Sequence, residues 1–312
     1  MMTEAPLISV VMPCFNAEGL LARGIASVFN QTLSDLELIV INDGSSDSSA
    51  DILNAITDPR LKVVHQKNSG VCRARNKALS LATGQFIAFL DADDYWEPGC
   101  LRKLHQALVS DSAAVLSYCG WQNVGLPGGA GEPFVPPNYE TTNKPADLFE
   151  NCLWPIHATL TRRFAIEEAG GFDERILTSE DFLLWLKIGT QHPITLVPEV
   201  LAYYQQHDGP QASDNVAKTA INHWLAQQLY IDENPQFSVV LGKPKLKTLM
   251  SGGLLQRGYD CYWKRNLKAA RIIFKWVMKH RYGSFRDWKY MLPSLLPYTW
   301  HLKLIKILDP SS

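Results

Sequence analysis

The sequence predicts an α/β protein: a Rossmann-like, mostly parallel sheet flanked by helices, followed by a helical C-terminal extension. Over the first hundred residues, short apolar runs rich in Val and Ile alternate with segments of helical spacing. This alternation is typical of a parallel sheet whose two faces are covered. From about residue 216 to residue 291 the pattern is helical alone. With 312 residues and 46% hydrophobic residues, the chain can form one or two globular domains.

The elements of the first hundred residues follow from their residue types. Residues 7–12, 36–42, 61–65 and 86–90 are apolar and rich in β-branched side chains, and each is predicted to be a strand. Helices are predicted between them at 20–29, at 71–82, and from an N-cap at Ser45 or Ser46 to residue 56. The alternation predicts that the four strands lie parallel in one sheet.

The pattern is less regular in the next hundred residues. Gly, Pro and Asn are frequent at 120–145, which predicts a loop with room for one hairpin. A turn is predicted at 170–173 and a helix at 178–188. Residues 194–204 are predicted to form a strand that Pro198 interrupts.

The composition argues against several classes of protein. The six cysteines are scattered without a Cys-x-x-Cys pair, so a reducing cytosol is the expected compartment. The N-terminus lacks the pattern of a signal peptide, and no apolar run reaches the length of about 18 residues that a membrane-spanning helix needs. We therefore expect a cytoplasmic protein, peripheral on the inner face of the cell membrane if its C-terminal region binds lipid.

Basic residues are concentrated in the C-terminal region, although the net charge is only −1. Residues 264–306 contain eleven Lys or Arg and a single acid, Asp287. One helical face is predicted to carry Lys264, Lys268, Arg271, Lys275 and Lys279. This pattern fits an interfacial helix on an anionic membrane, or a helical hairpin whose basic face is simply solvated. An acidic body without a base-reading motif argues against nucleic acid as a partner.

Polar residues follow all four predicted strands. The strand ends lie at residues 13–16, 43–47, 66–70 and 91–94. The carboxyl ends of parallel strands meet at one edge of a sheet, where open α/β sheets bind ligands. Asp91, Asp93 and Asp94 would repel one another there, so they favour a cation. A hard divalent ion that holds a phosphate-bearing substrate is the expected ligand.

Five ordered motifs in this chain resemble those of family 2 glycosyltransferases of the GT-A fold. The first three are ISVVMPCFNAEGLLARGIASVFNQTLSDLELIVINDGSSDSSAD at 8–51, NSGVCRARNKAL at 68–79 and FIAFLDADDYW at 86–96. The last two are GGFDE at 170–174 and SEDF at 179–182. The resemblance covers roughly residues 6–208, and the ordered set is far more specific than any single motif.

The resemblance implies a nucleotide-sugar donor site at the sheet edge. Asp43 matches an acid that accepts a hydrogen bond from the uracil N–H, and Asp91 matches an acid near the ribose. Pro13 and Asn16 match the loop that lines the base and ribose. The donor-binding residues implied in this way are Pro13, Asn16, Asp43, Asn68, Arg75, Asp91 and Ala92.

The resemblance also implies a metal site and a catalytic base. Asp93 matches the direct ligand of Mn²⁺ or Mg²⁺, and His207 matches a histidine that closes over the metal and diphosphate. Asp181, with Glu180 beside it, matches the base that takes the acceptor proton. The chain departs from the family at Gln205, because the family often has an arginine after the tyrosines, and a phosphate-pairing charge is therefore missing there.

Each of these residues also has a purely structural interpretation. The Asp91–Asp94 cluster could be a solvated turn, and His207 could be an exposed loop histidine. Asp43 could cap the following helix, and Asp181 has the spacing of a capping box. A possible acceptor site contains Trp154, His157 and Trp185, although aromatic residues near a turn are more often part of the core.

The motifs together predict a metal-dependent inverting glycosyltransferase. It would move a hexosyl or N-acetylhexosaminyl group from a nucleotide sugar, with a UDP-sugar as the expected donor, to a hydroxyl of a saccharide or lipid-linked saccharide, as in surface polysaccharide synthesis. The alternatives are a non-catalytic sugar-nucleotide-binding protein and a sugar-1-phosphate nucleotidyltransferase. Residues 12–19 lack the basic, Gly-rich loop that the latter requires.

The expected domain organisation places the GT-A catalytic domain at residues 1–210. Its nucleotide-sugar half covers about 1–97, and its acceptor half covers about 98–210. Residues 211–312 form the basic helical extension.

Overall fold

A computed structural model describes residues 5–207, 209 and 214–308, with side chains as far as residue 305. The chain divides into two compact units. The first unit consists of Met1–Arg175 and Glu180–Gly209, and the second consists of Ile176–Ser179 and Pro210–Ser312. The structure confirms the α/β fold and the helical C-terminal region, while the limits of a catalytic domain remain a prediction.

The first unit contains an eight-stranded sheet. Its strands are β1 (Ile8–Cys14), β2 (Leu36–Asn42), β3 (Leu61–His65), β4 (Phe86–Phe89), β5 (Tyr95–Trp96), β6 (Leu116–Val124), β7 (Thr159–Arg162) and β8 (Ile194–Gln205). Their order across the sheet is β3-β2-β1-β4-β7-β6-β8-β5. Strands β3, β2, β1 and β4 are parallel, as predicted, whereas β7 runs antiparallel to both of its neighbours.

Seven helices accompany this sheet. They are α1 (Leu21–Phe29), α2 (Ser49–Ala55), α3 (Val71–Leu81), α4 (Cys100–Ser110), α5 (Lys144–Glu150), α6 (Arg163–Glu168) and α7 (Glu180–Gln191). Helix α1 approaches the loop after β4 at Gly24, where a Cβ atom would lie 3.1 Å from the Asp94 carbonyl oxygen and 3.2 Å from that of Ala92. Glycine therefore lets this helix lie directly against the acidic loop.

The core strands explain why this half of the fold can be predicted. Every residue of β2 and β4 is buried, and all but one residue of β1 are buried. A strand that is covered on both faces reads as a continuous apolar run, which is the pattern found in the sequence. Burying each of these large side chains contributes roughly 1.5–3 kcal/mol to folding.

Two predicted helix starts are wrong. Helix α2 begins at Ser49, and neither Ser45 nor Ser46 caps it. These serines instead bind the loop after β1: the Asn16 N–H donates to Ser45 Oγ at 3.0 Å, and the Ser46 N–H donates to Asn16 Oδ1 at 2.8 Å. Helix α7 begins at Glu180, two residues later than predicted, after Ser179 with φ of +66°.

Strand β6 extends into a region predicted to be a loop. It continues to Val124, and its edge pairs with Phe134 through two backbone hydrogen bonds between Trp121 and Phe134, both 2.9 Å long. Gly120 makes this arrangement possible, because a Cβ there would lie 2.9 Å from the carbonyl oxygens of Glu199 and Phe134. The predicted hairpin is present, but it begins inside the sheet.

The second unit is helical in its described part. Its helices are α8 (Val216–Glu233), α9 (Pro235–Leu241), α10 (Lys243–Lys247), α11 (Gly253–Trp263), α12 (Leu267–Lys279), α13 (Phe285–Met291) and α14 (Tyr298–Leu308). The apolar face of α12, which includes Phe274 and Val277, is fully buried. Across the described residues, we find no helix with the length and hydrophobicity required to cross a bilayer.

Candidate functional site

The three carboxylates after β4 have different environments. Asp91 Oδ1 accepts a 2.7 Å hydrogen bond from Arg75. Asp94 is buried and accepts from the Gln205 N–H at 2.8 Å. Asp93 is partly exposed, and its Oδ2 lies 3.3 Å from His207 Nε2. The cluster is therefore a set of three separately held groups and not a solvated turn.

Asp94 fixes the acidic loop to the end of β8. In addition to its bond with Gln205, its Oδ2 lies 2.9 Å from Nδ1 of His157, whose side chain has no exposed surface. Burial alone would lower the pKa of His157, but the Asp94 carboxylate beside it raises that pKa overall. Because Asp93 adjoins Asp94 and His207 lies two residues after Gln205, the bond between Asp94 and Gln205 holds Asp93 and His207 near each other.

Arg75 joins the two acidic motifs of the sequence. It lies on α3 and is only 3% exposed. One guanidinium nitrogen donates to Asp91 at 2.7 Å, and another donates to Glu180 at 2.6 Å. Burial would lower the pKa of Arg75, but the two carboxylates raise it, so the guanidinium stays charged. Arg75 therefore acts as a buried connection between the end of β4 and the start of α7.

Asp181 occupies the first turn of α7, next to Glu180. Its Oδ1 accepts a 2.8 Å hydrogen bond from the Phe182 N–H. Burial of the carboxyl group, reinforced by the negative charge of Glu180, raises the pKa of Asp181 to about 6. Glu180 is occupied by Arg75, so Asp181 is the carboxylate with the raised proton affinity expected of a general base near neutral pH.

Asp43 organises the loop after β3 and does not cap a helix. Its Oδ1 accepts from Gln66 Nε2 at 2.8 Å and from the Ser69 N–H at 2.9 Å, and its Oδ2 accepts from the Gly70 N–H at 2.8 Å. The Ser69 hydroxyl donates to Oδ1 as well, at 3.1 Å. Oδ1 thus accepts from three donor atoms and Oδ2 from one, so Oδ2 is the oxygen that retains capacity for a further donor.

Of the remaining predicted donor-binding residues, Pro13 lies at the end of β1, and the others lie on the loops after β1, β3 and β4. Pro13 is half-buried, whereas Asn16 and Asn68 are exposed. Asn16 adopts a φ of +50° and bonds to the β2–α2 loop through Ser45 and Ser46. Ala92 is buried at 5% exposure, so its backbone and not its side chain is available to a ligand.

Arg23 is a residue of this site that the sequence analysis did not single out. Its guanidinium donates to Gln205 Oε1 at 2.7 Å and to the Asp93 carbonyl oxygen at 3.4 Å. It also lies 4.1 Å from the ring centre of Tyr95, which stacks on Tyr203. A positive charge thus lies beside Gln205, the position where the sequence suggested that one was missing. Local sequence gave no signal, because the contact spans 182 residues.

Asp93 and His207 are the candidate metal ligands. Across the described residues, no group of three or more His, Cys, Asp or Glu side chains is arranged to hold a metal ion. Burial, followed by the charges of Asp94 and Asp91, raises the pKa of Asp93 to about 6. Two protein ligands suit Mn²⁺ or Mg²⁺ if phosphate oxygens and water supply the remaining ones, as is usual for magnesium at nucleotide sites.

The three residues predicted to line an acceptor site are all buried in the described structure. Trp154 is 3% exposed, and His157 and Trp185 have no exposed surface. Trp154 stacks on Tyr118, and Trp185 packs edge-on against Phe89. Their part in an acceptor site stays a prediction.

Comparison with known families gives a match over half of the chain. The family described as glycosyl transferase family 2 matches residues 9–168. An uncharacterized glycosyltransferase of Haemophilus influenzae is 31% identical over 325 aligned positions, which cover 98% of this chain and 94% of that protein.

Other relatives match a smaller share of the chain. A hyaluronan synthase of Pasteurella multocida is 28% identical over 59% of this chain, but the match spans only 19% of the synthase. The Escherichia coli protein named UDP-Glc:alpha-D-GlcNAc-diphosphoundecaprenol beta-1,3-glucosyltransferase is 31% identical over 61% of this chain and 73% of its own length.

Two solved structures have a similar fold at low sequence identity. S. aureus TarS 1–349 in complex with UDP-GlcNAc superimposes with a TM-score of 0.65 at 19% identity, covering 86% of this chain and 78% of that one. A mannosyltransferase from Pyrobaculum calidifontis in complex with GDP-Man and Mn²⁺ gives a TM-score of 0.55 at 18% identity, covering 99% of this chain and 89% of that one.

Proposed function

The chain belongs to glycosyl transferase family 2, and from this premise we propose that it is a metal-dependent, inverting glycosyltransferase. The observation that carries the proposal is the double ion pair of Arg75. It brings Asp91 of the first acidic motif and Glu180 of the second to one guanidinium, although 89 positions separate them in sequence. This juxtaposition supports a site in which donor binding and proton transfer take place close together.

Asp181 is proposed to be the general base. A base is needed to take the proton of the acceptor hydroxyl as this oxygen attacks the anomeric carbon. The raised pKa of Asp181 matches this task near neutral pH, and its position in the first turn of α7 fixes the carboxylate relative to the donor. Glu180 positions α7 through Arg75 and takes no direct part in the proton transfer.

Asp93 and His207 are proposed to hold Mn²⁺ or Mg²⁺ together with the donor diphosphate. When bound, the cation supplies positive charge that stabilises the departing nucleoside diphosphate. Arg23 of α1 adds a fixed positive charge beside the loop after β4, because its guanidinium contacts the Asp93 carbonyl group. The two negative neighbours of Asp93 make its carboxylate a strong ligand for a cation.

The donor is proposed to be a UDP-sugar and the acceptor a saccharide or lipid-linked saccharide. Asp43 Oδ2 has capacity for one more hydrogen bond, which the uracil N–H would donate. Support comes from the E. coli relative, whose name specifies UDP-Glc and a diphosphoundecaprenol-linked sugar, and from TarS, whose structure contains UDP-GlcNAc. On this proposal, residues 1–210 form the catalytic domain and the protein acts in glycan synthesis at the inner face of the cell membrane.

The first prediction concerns the two carboxylates with separate roles. Asp93→Asn and Asp181→Asn should each reduce release of UDP from a UDP-sugar with acceptor by at least about a thousandfold, since each removes an essential charge. Asp181→Asn should leave UDP binding with Mn²⁺ unchanged, whereas Asp93→Asn should weaken it. Calorimetric titration with UDP and a coupled assay of UDP release measure both effects.

Asp51→Asn is the matched control, because Asp51 is an exposed carboxylate on α2. It should behave like the unmodified protein in both assays. Full turnover by Asp181→Asn would disprove the assignment of the base. Unaltered Mn²⁺-dependent UDP binding by Asp93→Asn would disprove the assignment of the metal ligand.

A further inference from the structure

The segment that joins α12 to the end of the described chain carries a row of exposed apolar side chains. Phe285 is 94% exposed, Leu295 is 58% exposed and Trp300 is 65% exposed. Trp288, Leu292 and Leu296 are also exposed, at 37%, 47% and 38%. We call these six residues the 285–300 ridge. A soluble surface normally carries large apolar residues singly, so a row of six indicates a binding surface.

The spacing of the ridge places its members on one side of the backbone. Phe285, Trp288, Leu292 and Leu295 follow one another at intervals of three, four and three residues through α13 and the short helical turn Leu292–Leu295. The opposite side is buried: Met291, Ser294 and His301 have no exposed surface. The segment is therefore packed inward by one face and presents a second apolar face outward.

Contacts within the second unit hold the ridge in place. Ser284 and Asp287 form a reciprocal capping box at the start of α13, and the Tyr259 hydroxyl donates to Asp287 at 2.6 Å. Arg271 of α12 donates to the Leu296 carbonyl oxygen at 2.6 Å and lies 3.2 Å from His301 Nδ1. The apolar exposure is thus a feature of the packed unit.

The charge around the ridge is positive. Residues 281–303 contain four cations, Arg281, Arg286, Lys289 and Lys303, all of them exposed, and a single acid. That acid, Asp287, is occupied by Ser284 and Tyr259. Aromatic and leucine side chains next to exposed cations have the chemistry of the interface of an anionic bilayer, where rings and alkyl chains enter the headgroup region and cations meet lipid phosphates.

We infer that the 285–300 ridge is a docking surface for an anionic lipid bilayer. This location differs from the one that the sequence suggests. The apolar face of α12 is buried in the core, and Arg271 of its basic face is engaged with the Leu292–Leu296 turn. The membrane-facing surface therefore belongs to α13, the turn after it and the start of α14. The inference does not depend on the donor or on the chemistry of transfer.

The test uses the full chain and two pairs of substitutions in co-sedimentation with vesicles. Vesicles of phosphatidylcholine, with or without phosphatidylglycerol, serve as the probe. The protein should pellet with the anionic vesicles and less with the neutral ones. Phe285→Ser with Trp300→Ser should reduce binding to anionic vesicles by more than about tenfold, because the apolar contribution is lost. Arg286→Gln with Lys289→Gln should reduce it by roughly 20- to 30-fold and weaken the preference for anionic lipid.

Matched controls come from the first unit. Val109→Ser with Phe164→Ser removes two exposed apolar side chains, and Lys77→Gln with Arg102→Gln removes two exposed cations. Both should bind vesicles like the unmodified chain. Since the ridge side chains are exposed, its variants should also keep their melting temperature and their affinity for UDP, which separates this inference from the proposed function.

Three results would overturn the inference. The unmodified chain might fail to pellet with anionic vesicles, or the ridge variants might pellet as well as it does. The third result is a dimer of the unmodified chain in sedimentation velocity, together with no binding to vesicles. The ridge variants would then be monomeric. The ridge would then be an interface between protein copies.

Discussion

At the residue scale, the site depends on side chains whose charge is fixed by a buried partner. Arg75 makes two short ion pairs from a position with 3% exposure, while Asp94 is enclosed between His157 and the β8 backbone. Charges in such places are costly to desolvate and are retained only with partners of matched geometry. Each of these buried groups lies next to a carboxylate that is proposed to act in the reaction, Asp181 beside Glu180 and Asp93 beside Asp94, and we propose that it holds this carboxylate in position.

Substitution of Arg75 should separate this supporting role from ordinary surface pairing. Arg75→Met should lower the free energy of unfolding by about 3–5 kcal/mol, because it leaves Asp91 and Glu180 without their partner. Urea denaturation measures this change. Arg73→Gln is the control. Arg73 lies two residues before Arg75 on α3, and its ion pair with Glu174 is exposed, so this substitution should leave the free energy of unfolding unaltered. Equal effects of the two variants would contradict the role of Arg75.

The pKa of Asp181 predicts the acid limb of the activity profile. The pKa is raised from 3.8 to about 6, so the carboxyl is protonated and inactive as a base below pH 6 and ionised above it. The logarithm of kcat/KM should therefore rise with pH and level off above about pH 6. Saturating Mn²⁺ should be used, since a bound cation keeps Asp93 ionised. A profile that stays flat through pH 6 would exclude Asp181 as the titrating base.

At the element scale, close backbone approaches decide where elements can lie. Gly24 lets α1 rest on the acidic loop, and Gly120 lets β6 pass between Glu199 and Phe134. In β6 this approach coincides with a shift of register against β8, next to Gly120. The bridge between Trp121 and Phe134 follows immediately after this register shift.

Gly120→Ala tests the importance of this approach. The new Cβ would lie 2.9 Å from two carbonyl oxygens of the backbone, which cannot move as a flexible side chain can. The substitution should cost about 1–3 kcal/mol of stability, measured by chemical denaturation. Gly128→Ala is the matched control, because nothing lies within 4 Å of its Cβ position. A stability equal to that of the control would show that the strands separate at no cost.

At the scale of the whole molecule, the two units differ in charge and composition. The first unit (Met1–Arg175 and Glu180–Gly209) carries 14 basic and 25 acidic residues, whereas the second unit (Ile176–Ser179 and Pro210–Ser312) carries 16 basic and 6 acidic residues. The acidic excess surrounds a site that is proposed to bind a cation, and the basic excess surrounds the exposed 285–300 ridge. Each unit thus has the charge that suits its own proposed partner.

The predictability of the fold followed the burial of its parts. Strand β2 has the predicted bounds, because a fully buried strand reads as an apolar run bounded by polar turns. The residues of β6 from Gly120 onward were predicted to be a loop, because they include Gly, Gln and Asn and most of them are only partly buried. The start of α2 was misplaced because Ser45 and Ser46 have a tertiary partner, Asn16, that local propensity does not include.

The sequence by itself determined the α/β fold, the family, and the identity of the acidic residues at the strand ends, because these are carried by local patterns and contiguous motifs. Only the tertiary structure decided that Arg75 joins Asp91 to Glu180, that Arg23 lies beside Asp93, and that Trp185 belongs to the core. These contacts connect residues far apart in the chain, and their geometry depends on how whole elements pack. The outward-facing side of α13 was settled in the same way, because a helix with two apolar faces does not reveal in its sequence which face the core will cover.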